Sequence, residues 1–372
     1  MLKRAVKKAF NVAGLDIRRK RTRPPKELTL GENQIVPDIW KRPVYIEMMQ
    51  SRLGSIEDPV LLLGESVEIE PLRSELLKHG FQVKGMEWDW EQDIPLTEGL
   101  GNSRIILCKV PMNESEWRSA RKLKQRFGQR LVGLQEIVLP FTAIRQAQDS
   151  LVYSVGTLEE IAPYYLGNDY FGPLDELDKV MPLANKTIIE FGPMEGAQTA
   201  GLVRLGAKSV TCIEARAESF IKTMVAKYAF GWDNVNLVMD DFHNADDLKY
   251  GKFDLAFAHG VYYHSVAPFF FFENLMSLSD NIFLGGYTYA ESGASSNGQF
   301  VNLEYGGKEY RAMKIPVGQS FNTAVNLYGY HFSGNDLQSF FSDRQYKITV
   351  ISEEDAGDPW GDRYLRFLAT RS

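Results

Sequence analysis

The sequence predicts an α/β protein with two Rossmann-like units, the larger at the C-terminal end, and three observations carry that expectation. A short β-prone run, Thr187-Ile188-Ile189, ends on Glu190 and breaks into Gly192, Pro193 and Gly196 before the helix-like AQTAGLVRLGA. That is the order of a buried strand, a tight glycine turn and a helix start. Eighteen residues past Gly196, a second strand-like run, SVTCIEA, places Glu214 near its carboxyl end, where the crevice of an open parallel sheet lies. From Pro59 onward, apolar β-prone runs alternate with helix-length segments, the pattern of βαβ units. Glycines let backbone approach a ligand, and a helix N-terminus favours electron-rich groups, so the loop and Glu214 together read as a nucleoside site.

Composition bounds the function classes. The chain has 372 residues and is 44% hydrophobic, enough for two cores. A net charge of −6 gives no chain-wide electrostatic case for nucleic acid. Cys108 and Cys212 both sit in strand-like apolar runs, so neither a disulfide framework nor a thiolate site is expected and a reducing compartment fits. There is no run of eighteen apolar residues, and the first residues lack a signal-peptide core; the expected location is cytoplasmic, peripheral to the inner face of a membrane.

In chain order, residues 1–30 come first. Leu2, Val6, Phe10, Ala13 and Ile17 recur at helical spacing, with Lys3, Arg4, Lys7 and Lys8 off that stripe, and Asp16 is the single acid up to Lys26. This is a basic amphipathic helix, suited to an anionic membrane surface through residues 1–26, to docking on its own domain, or to a tRNA-binding arm. Residues 31–57 read as a Pro-containing linker with a short helix near Tyr45 to Arg52. Residues 58–150 form the smaller α/β unit, with strands at Pro59–Gly64, Gln82–Met86, Arg104–Cys108 and Leu131–Val132 and helices at Ile69–His79 and Trp117–Phe127. Gly64 alone stands where a phosphate cradle needs several glycines, so a scaffold or recognition role is expected there. Asp89, Glu91 and Asp93 beside Trp88 and Trp90 read as a solvated loop.

Residues 151–372 hold the chemistry. An aromatic, helix-prone segment with Tyr164, Tyr165, Tyr170 and Phe171 precedes the glycine strand. The loop E-F-G-P-M-E-G is not the G-x-G-x-x-G of dinucleotide sites, because an acid stands before its first glycine. A helix over Glu218–Tyr228 leads to a strand over Val235–Met239, ending in Asp240-Asp241-Phe242. The next strand, Phe253–Ala258, is followed by His259-Gly260-Val261-Tyr262-Tyr263-His264. Phe269 to Phe272 open a core helix, Asn281–Leu284 is a strand, and about 285–330 reads as an insertion whose pieces FVNLEY and EYRAMKI suggest a β-hairpin over the site. Leu337–Phe341 is the last helix, and YKITVIS with RYLRFLAT a closing hairpin. His259 and His264 are too loosely spaced for a helical metal site and no carboxylate triad accompanies them, so no metal is expected.

From about Tyr164 to its end the chain resembles the class I S-adenosylmethionine-dependent methyltransferases, whose first motif is an acid followed by x-G-x-x-x-G; the antiparallel strand of the closing hairpin is a further likeness. The resemblance implies a Rossmann-like, seven-stranded methyltransferase domain with S-adenosylmethionine as cofactor. It implies that Glu190, Gly192, Pro193 and Gly196 hold the cofactor, that Glu214 accepts from both ribose hydroxyls, and that Asp241, with Asp240 in reserve, accepts from the adenine amino group. The backbone N–H of Phe242 would meet the ring and Tyr170 would cap the pocket. FDLAFAHGVYYHS is similar to the GVLYH variant of the tRNA wobble-uridine carboxymethyltransferase group, although Ser265-Val266-Ala267-Pro268 stands where that group has basic residues.

Methyl transfer from a sulfonium is an in-line displacement, so the protein mainly positions the acceptor. A hydroxyl acceptor also needs a base, and His264 or His259, with Tyr263 beside them, are the candidates, since an ordinary imidazole titrates near neutrality. The expected activity is O-methylation of a sugar, glycan precursor or lipid-linked small molecule. The alternatives are a tRNA-modifying alkyltransferase and a non-catalytic nucleoside-binding regulatory subunit.

Overall fold

Val60–Gly64 (β1) is apolar or glycine at every position and buried at every position, so it needs a sheet covered on both faces. In the computed structural model, which describes residues 59–90, 103–109, 111–133, 168–289, 298–316, 326, 328–355 and 363–372, β1 is the second strand of such a sheet. The basic segment 1–30, the linker 31–57, Glu91, Asp93, Tyr164 and Tyr165 lie outside the described residues. β1 pairs in parallel with Val83–Glu87 (β2) and Arg104–Leu107 (β3), and β3 with Leu131–Gly133 (β4), giving the order β2-β1-β3-β4. Helices Ser66–Lys78 (α1) and Glu114–Phe127 (α2) provide crossovers. α2 starts three residues ahead of the expected Trp117 because Asn113 caps it, its side chain accepting from the Glu116 N–H.

The second sheet has seven strands, β5 (Thr187–Phe191), β6 (Ser209–Glu214), β7 (Val235–Met239), β8 (Leu255–His259), β9 (Asn281–Thr288), β13 (Tyr346–Asp355) and β14 (Arg363–Arg371), in the order β13-β14-β9-β8-β5-β6-β7. All are mutually parallel except β14, which runs against both neighbours. The antiparallel strand is therefore one in from the edge. Helices α3 (Asn168–Val180), α4 (Ala197–Arg204), α5 (Ala217–Phe230), α6 (Asp247–Tyr250), α7 (Pro268–Leu278) and α8 (Gly334–Ser342) accompany these strands. Among the described residues no helix is long and apolar enough to cross a membrane.

β10 (Gln299–Tyr305), β11 (Lys308–Pro316) and β12 (Tyr328–Phe332) form a separate antiparallel sheet. It is seated on α7 and α8 through aromatic rings: Phe269 lies 5.0 Å from Tyr305, 5.1 Å from Tyr310 and 5.4 Å from Phe340. The hairpin β10–β11 therefore covers core helices, and it is β12 that reaches the turn after β8.

Two expected boundaries beside the turn after β8 move. β8 spans Leu255–His259 rather than Phe253–Ala258, so His259 is a strand residue paired with Gly285. β9 runs to Thr288, so Gly285 to Thr288 belong to the sheet and not to the insertion. The cause is steric. A β-carbon on Gly285 would lie 2.4 Å from the His259 ring and one on Gly286 2.5 Å from the Tyr262 ring; these glycines admit two aromatic rings onto a strand.

The two sheets are joined by α2 and α7. Trp117 packs with Val266, Ala267 and Phe270, and Glu273 receives Arg118 at 3.0 Å and Arg121 at 3.3 Å.

Candidate functional site: a carboxylate-lined crevice facing an aromatic wall

The glycine loop after β5 is a tight turn. Gly196 donates to the Pro193 carbonyl at 2.7 Å, and Gly192 donates to the Ile213 carbonyl at 2.9 Å, tying the turn to β6. Gly192 has φ of 63° and a β-carbon there would lie 2.3 Å from Val261 Cγ1, so only glycine fits. Gly196 has φ of 87° and caps α4. Met194 is held at φ of 55° without that freedom. Its N–H points at Glu214 Oε2, 3.2 Å away, and its carbonyl accepts from Thr223 Oγ1 at 2.7 Å.

Three carboxylates stand at the carboxyl ends of three adjacent strands. Glu190 on β5 is fully buried and accepts from Thr199 Oγ1 at 2.6 Å and Cys212 Sγ at 3.3 Å through Oε2, while its Oε1 is buried without a partner. Glu214 ends β6 and accepts from the Arg216 N–H at 2.8 Å as well as from Met194. Burial, only partly offset by those donors, pushes each of these two carboxyls up to about 7. Asp241, just past β7, is buried yet held below the usual carboxylate range, because His243 beside it outweighs desolvation. Its bonds to the His243 N–H and ring Nδ1, at 2.9 and 2.8 Å, both use Oδ1. Asp240 is spent inside the fold: Oδ1 accepts from Asp241 N and Asn244, and Oδ2 from Lys249 and Tyr250 at 2.6 Å each. It is a structural acid, which removes it as the reserve for adenine. Phe242 opens a 3₁₀ turn, its ring packed 4.6 Å from Phe271. Tyr170 lies in α3, and its side chain is outside the described residues.

Beyond β8 the lining changes to rings. Half-buried Tyr263 lies 4.4 Å from His264, 5.2 Å from Tyr287 on β9 and 5.4 Å from His331 on β12; Tyr287 stacks on His331 and meets Tyr364 on β14 at 5.0 Å. Burial and neighbouring hydroxyls push the Tyr263 phenol well above its ordinary range, so it stays protonated and is no base at neutral pH. His259 is clamped. Arg366 Nε donates to its Nε2 at 3.2 Å, and Gln198 faces Nδ1. Because Nε2 is the acceptor, Nδ1 carries the proton and the Gln198 amide must present its oxygen. Enclosure and the Arg366 guanidinium push His259 down to about 3. Both of its ring nitrogens are engaged, which leaves no free lone pair for a proton.

His264 is different. Its Nδ1 is buried with no partner, and burial, His331 and Arg216 push it down to about 4. Both imidazoles are thus neutral through the physiological range, against the expectation of titration near neutrality. Ser265 to Pro268, where the tRNA-modifying group has basic residues, are buried. Among the described residues no three metal-capable side chains converge.

Tyr287, His331, Tyr364, Arg366 and Gln198 were not legible as site residues. Tyr287 falls in the stretch that reads as an insertion and the others in segments with no site signal of their own; strand pairing and helix packing bring them together.

No protein-family model matches the chain, and no curated protein does. Among solved structures, the chain is similar to the N-terminal domain of EvdMO1 with SAH bound, at 19% identity over 56% of this chain and 84% of that one, with a TM-score of 0.47. It is also similar to magnesium protoporphyrin IX methyltransferase from Synechocystis PCC 6803 (14% identity, 63% and 99% covered, TM-score 0.40). A third likeness is to 1,6-didemethyltoxoflavin-N1-methyltransferase from Burkholderia thailandensis (16%, 57% and 86%, 0.37). By its own strands, seven in number and parallel but for one, the C-terminal domain is an α/β domain of the Rossmann-like, class I methyltransferase fold.

Proposed function

We propose that the C-terminal domain binds S-adenosylmethionine and methylates a hydroxyl of a sugar, glycan precursor or lipid-linked small molecule. The observation that carries the reading is the row of Glu190, Glu214 and Asp241 at the ends of β5, β6 and β7, beside a turn that only glycine can make. These residues fit the cofactor. Glu214 would accept from the ribose hydroxyls, charge-assisted bonds worth roughly 1.5–3 kcal/mol each. Asp241 Oδ2 would accept from the adenine amino group, with the Phe242 N–H on the ring. Glu190 Oε1, buried and unpartnered, would face the cofactor's ammonium side.

When bound, the cofactor would supply a methyl group activated on a sulfonium for in-line displacement. The chain's part is to place the acceptor hydroxyl. Tyr263, Tyr287, His331 and Tyr364 offer ring faces suited to the apolar faces of a sugar. His264, neutral and unpartnered at Nδ1, would accept the hydroxyl proton as the methyl arrives. Residues 1–26 would bring the enzyme to an anionic surface. Deleting them should abolish sedimentation with anionic liposomes, as should high salt, and leave cofactor affinity unchanged; equal sedimentation of both forms removes the membrane part.

Calorimetry tests the cofactor. S-adenosylhomocysteine should bind and NAD should not, and Glu214→Ala should weaken binding roughly 10–100-fold. Binding of NAD alone would sink the reading.

A further inference from the structure

His243 was not part of the expected site, yet its imidazole touches three separate parts of the molecule. Nδ1 lies 2.8 Å from Asp241 Oδ1, and Nε2 lies 2.7 Å from Ser265 Oγ, one residue past His264. One face of the ring stacks on Trp117 of α2, centroids 4.6 Å apart and planes 19° from parallel. Asp241, His243, Ser265 and Trp117 are all buried. The role of Nδ1 is fixed by its neighbour. Asp241 can only accept as a carboxylate, so Nδ1 carries a proton. Nε2 pairs with the Ser265 hydroxyl, and Ser265 Oγ accepts from the Ala267 N–H at 3.0 Å. The His243 carbonyl is held as well, by Asn274 Nδ2 at 2.9 Å, and Arg121 of α2 bonds that same Asn274.

We propose that His243 is a positioning residue that ties the adenine-binding Asp241 to the acceptor turn carrying His264, and that the N-terminal α/β unit holds it in place through Trp117. This rests on the cofactor reading above. The smaller sheet thereby gains a role in the site, because through α2 it supplies one wall of a buried network that spans both halves of the crevice. Removing the imidazole would free Asp241 to rotate and release the turn at Ser265, two separable effects because two different nitrogens are involved.

Two near-isosteric variants separate them. His243→Asn keeps an N–H at the Nδ1 position and loses the reach to Ser265; His243→Gln keeps a polar atom near the Nε2 position and leaves Asp241 with the backbone N–H of residue 243 but without its ring partner. S-adenosylhomocysteine should bind His243→Asn within about threefold of the wild type, and His243→Gln roughly 10–100-fold more weakly. The ring resonance of His264, followed in protein with ¹³C-labelled histidine, should shift in His243→Asn and stay in His243→Gln. Equal losses in both variants, or in neither, would overturn the assignment. Trp117 gives a second route if a His243 variant fails to fold: Trp117→Phe should keep the affinity and Trp117→Ala should lower it, and an unchanged Trp117→Ala overturns the role of the N-terminal unit. Failure of the wild type to bind S-adenosylhomocysteine is a distinct result, which removes the cofactor reading itself.

Discussion

Glu190, Glu214 and Asp241 come from three strands that follow one another in the chain and lie side by side in the sheet, whereas Tyr263, Tyr287, His331 and Tyr364 come from four elements spread to the last strand. The first half of the crevice is built of acids and backbone N–H groups, the second of rings. Desolvation acts on both, with opposite consequences for charge. It holds two acids near 7 and two imidazoles at about 3 and 4, so the crevice by itself carries less charge than its residue types imply. A cofactor bearing positive groups would therefore draw the acids toward ionisation, while the ring half stays neutral for a neutral acceptor.

The largest effect that would separate the halves is on turnover. Once an acceptor is found by screening, His264→Ala should lower the rate roughly 10²–10⁴-fold with S-adenosylhomocysteine affinity intact. Near-normal turnover would remove His264 as the base; a parallel loss of cofactor affinity would mean the halves are not separable.

A smaller effect concerns the glycines that admit the rings. Gly286→Val would place a branched side chain where the Tyr262 ring lies 2.5 Å from the β-carbon position, at a cost of about 1–3 kcal/mol. The urea midpoint should fall accordingly. An unchanged midpoint would show that the ring moves aside without penalty and that Gly286 is not needed for packing.

The smallest effect is the shape of stability against pH. His264 binds fewer protons folded than unfolded between about 4 and its ordinary 6.5, so its contribution is complete above 6.5 and is lost as pH falls through 4. Glu190 and Glu214 bind more protons folded than unfolded between 4.5 and about 7, so theirs is present at low pH and lost as pH rises through that window. The two windows overlap, so between about pH 4.5 and 6.5 His264→Gln should lower the slope of melting temperature against pH and Glu190→Gln should raise it. If both variants change the slope with the same sign, the opposed desolvation of the two halves is wrong.

By itself the sequence determined the α/β class, the order of the strands along the chain, the glycine turn and the acids at the ends of β5, β6 and β7. Those signals are local: a tight turn at the end of an apolar run favours glycine, and an acid after such a run marks a strand end. Tertiary structure alone decided which of Asp240 and Asp241 is spent inside the fold, since Lys249 and Tyr250 reach only Asp240. It alone converted Gly285 and Gly286 from apparent loop to strand, because the rings that require them come from another element. It alone collected Tyr287, His331 and Tyr364 around Tyr263, and set Trp117 of the N-terminal unit on His243 of the C-terminal one. Partners separated by long stretches of chain leave no periodicity, so their meeting is a property of strand pairing and packing rather than of any segment.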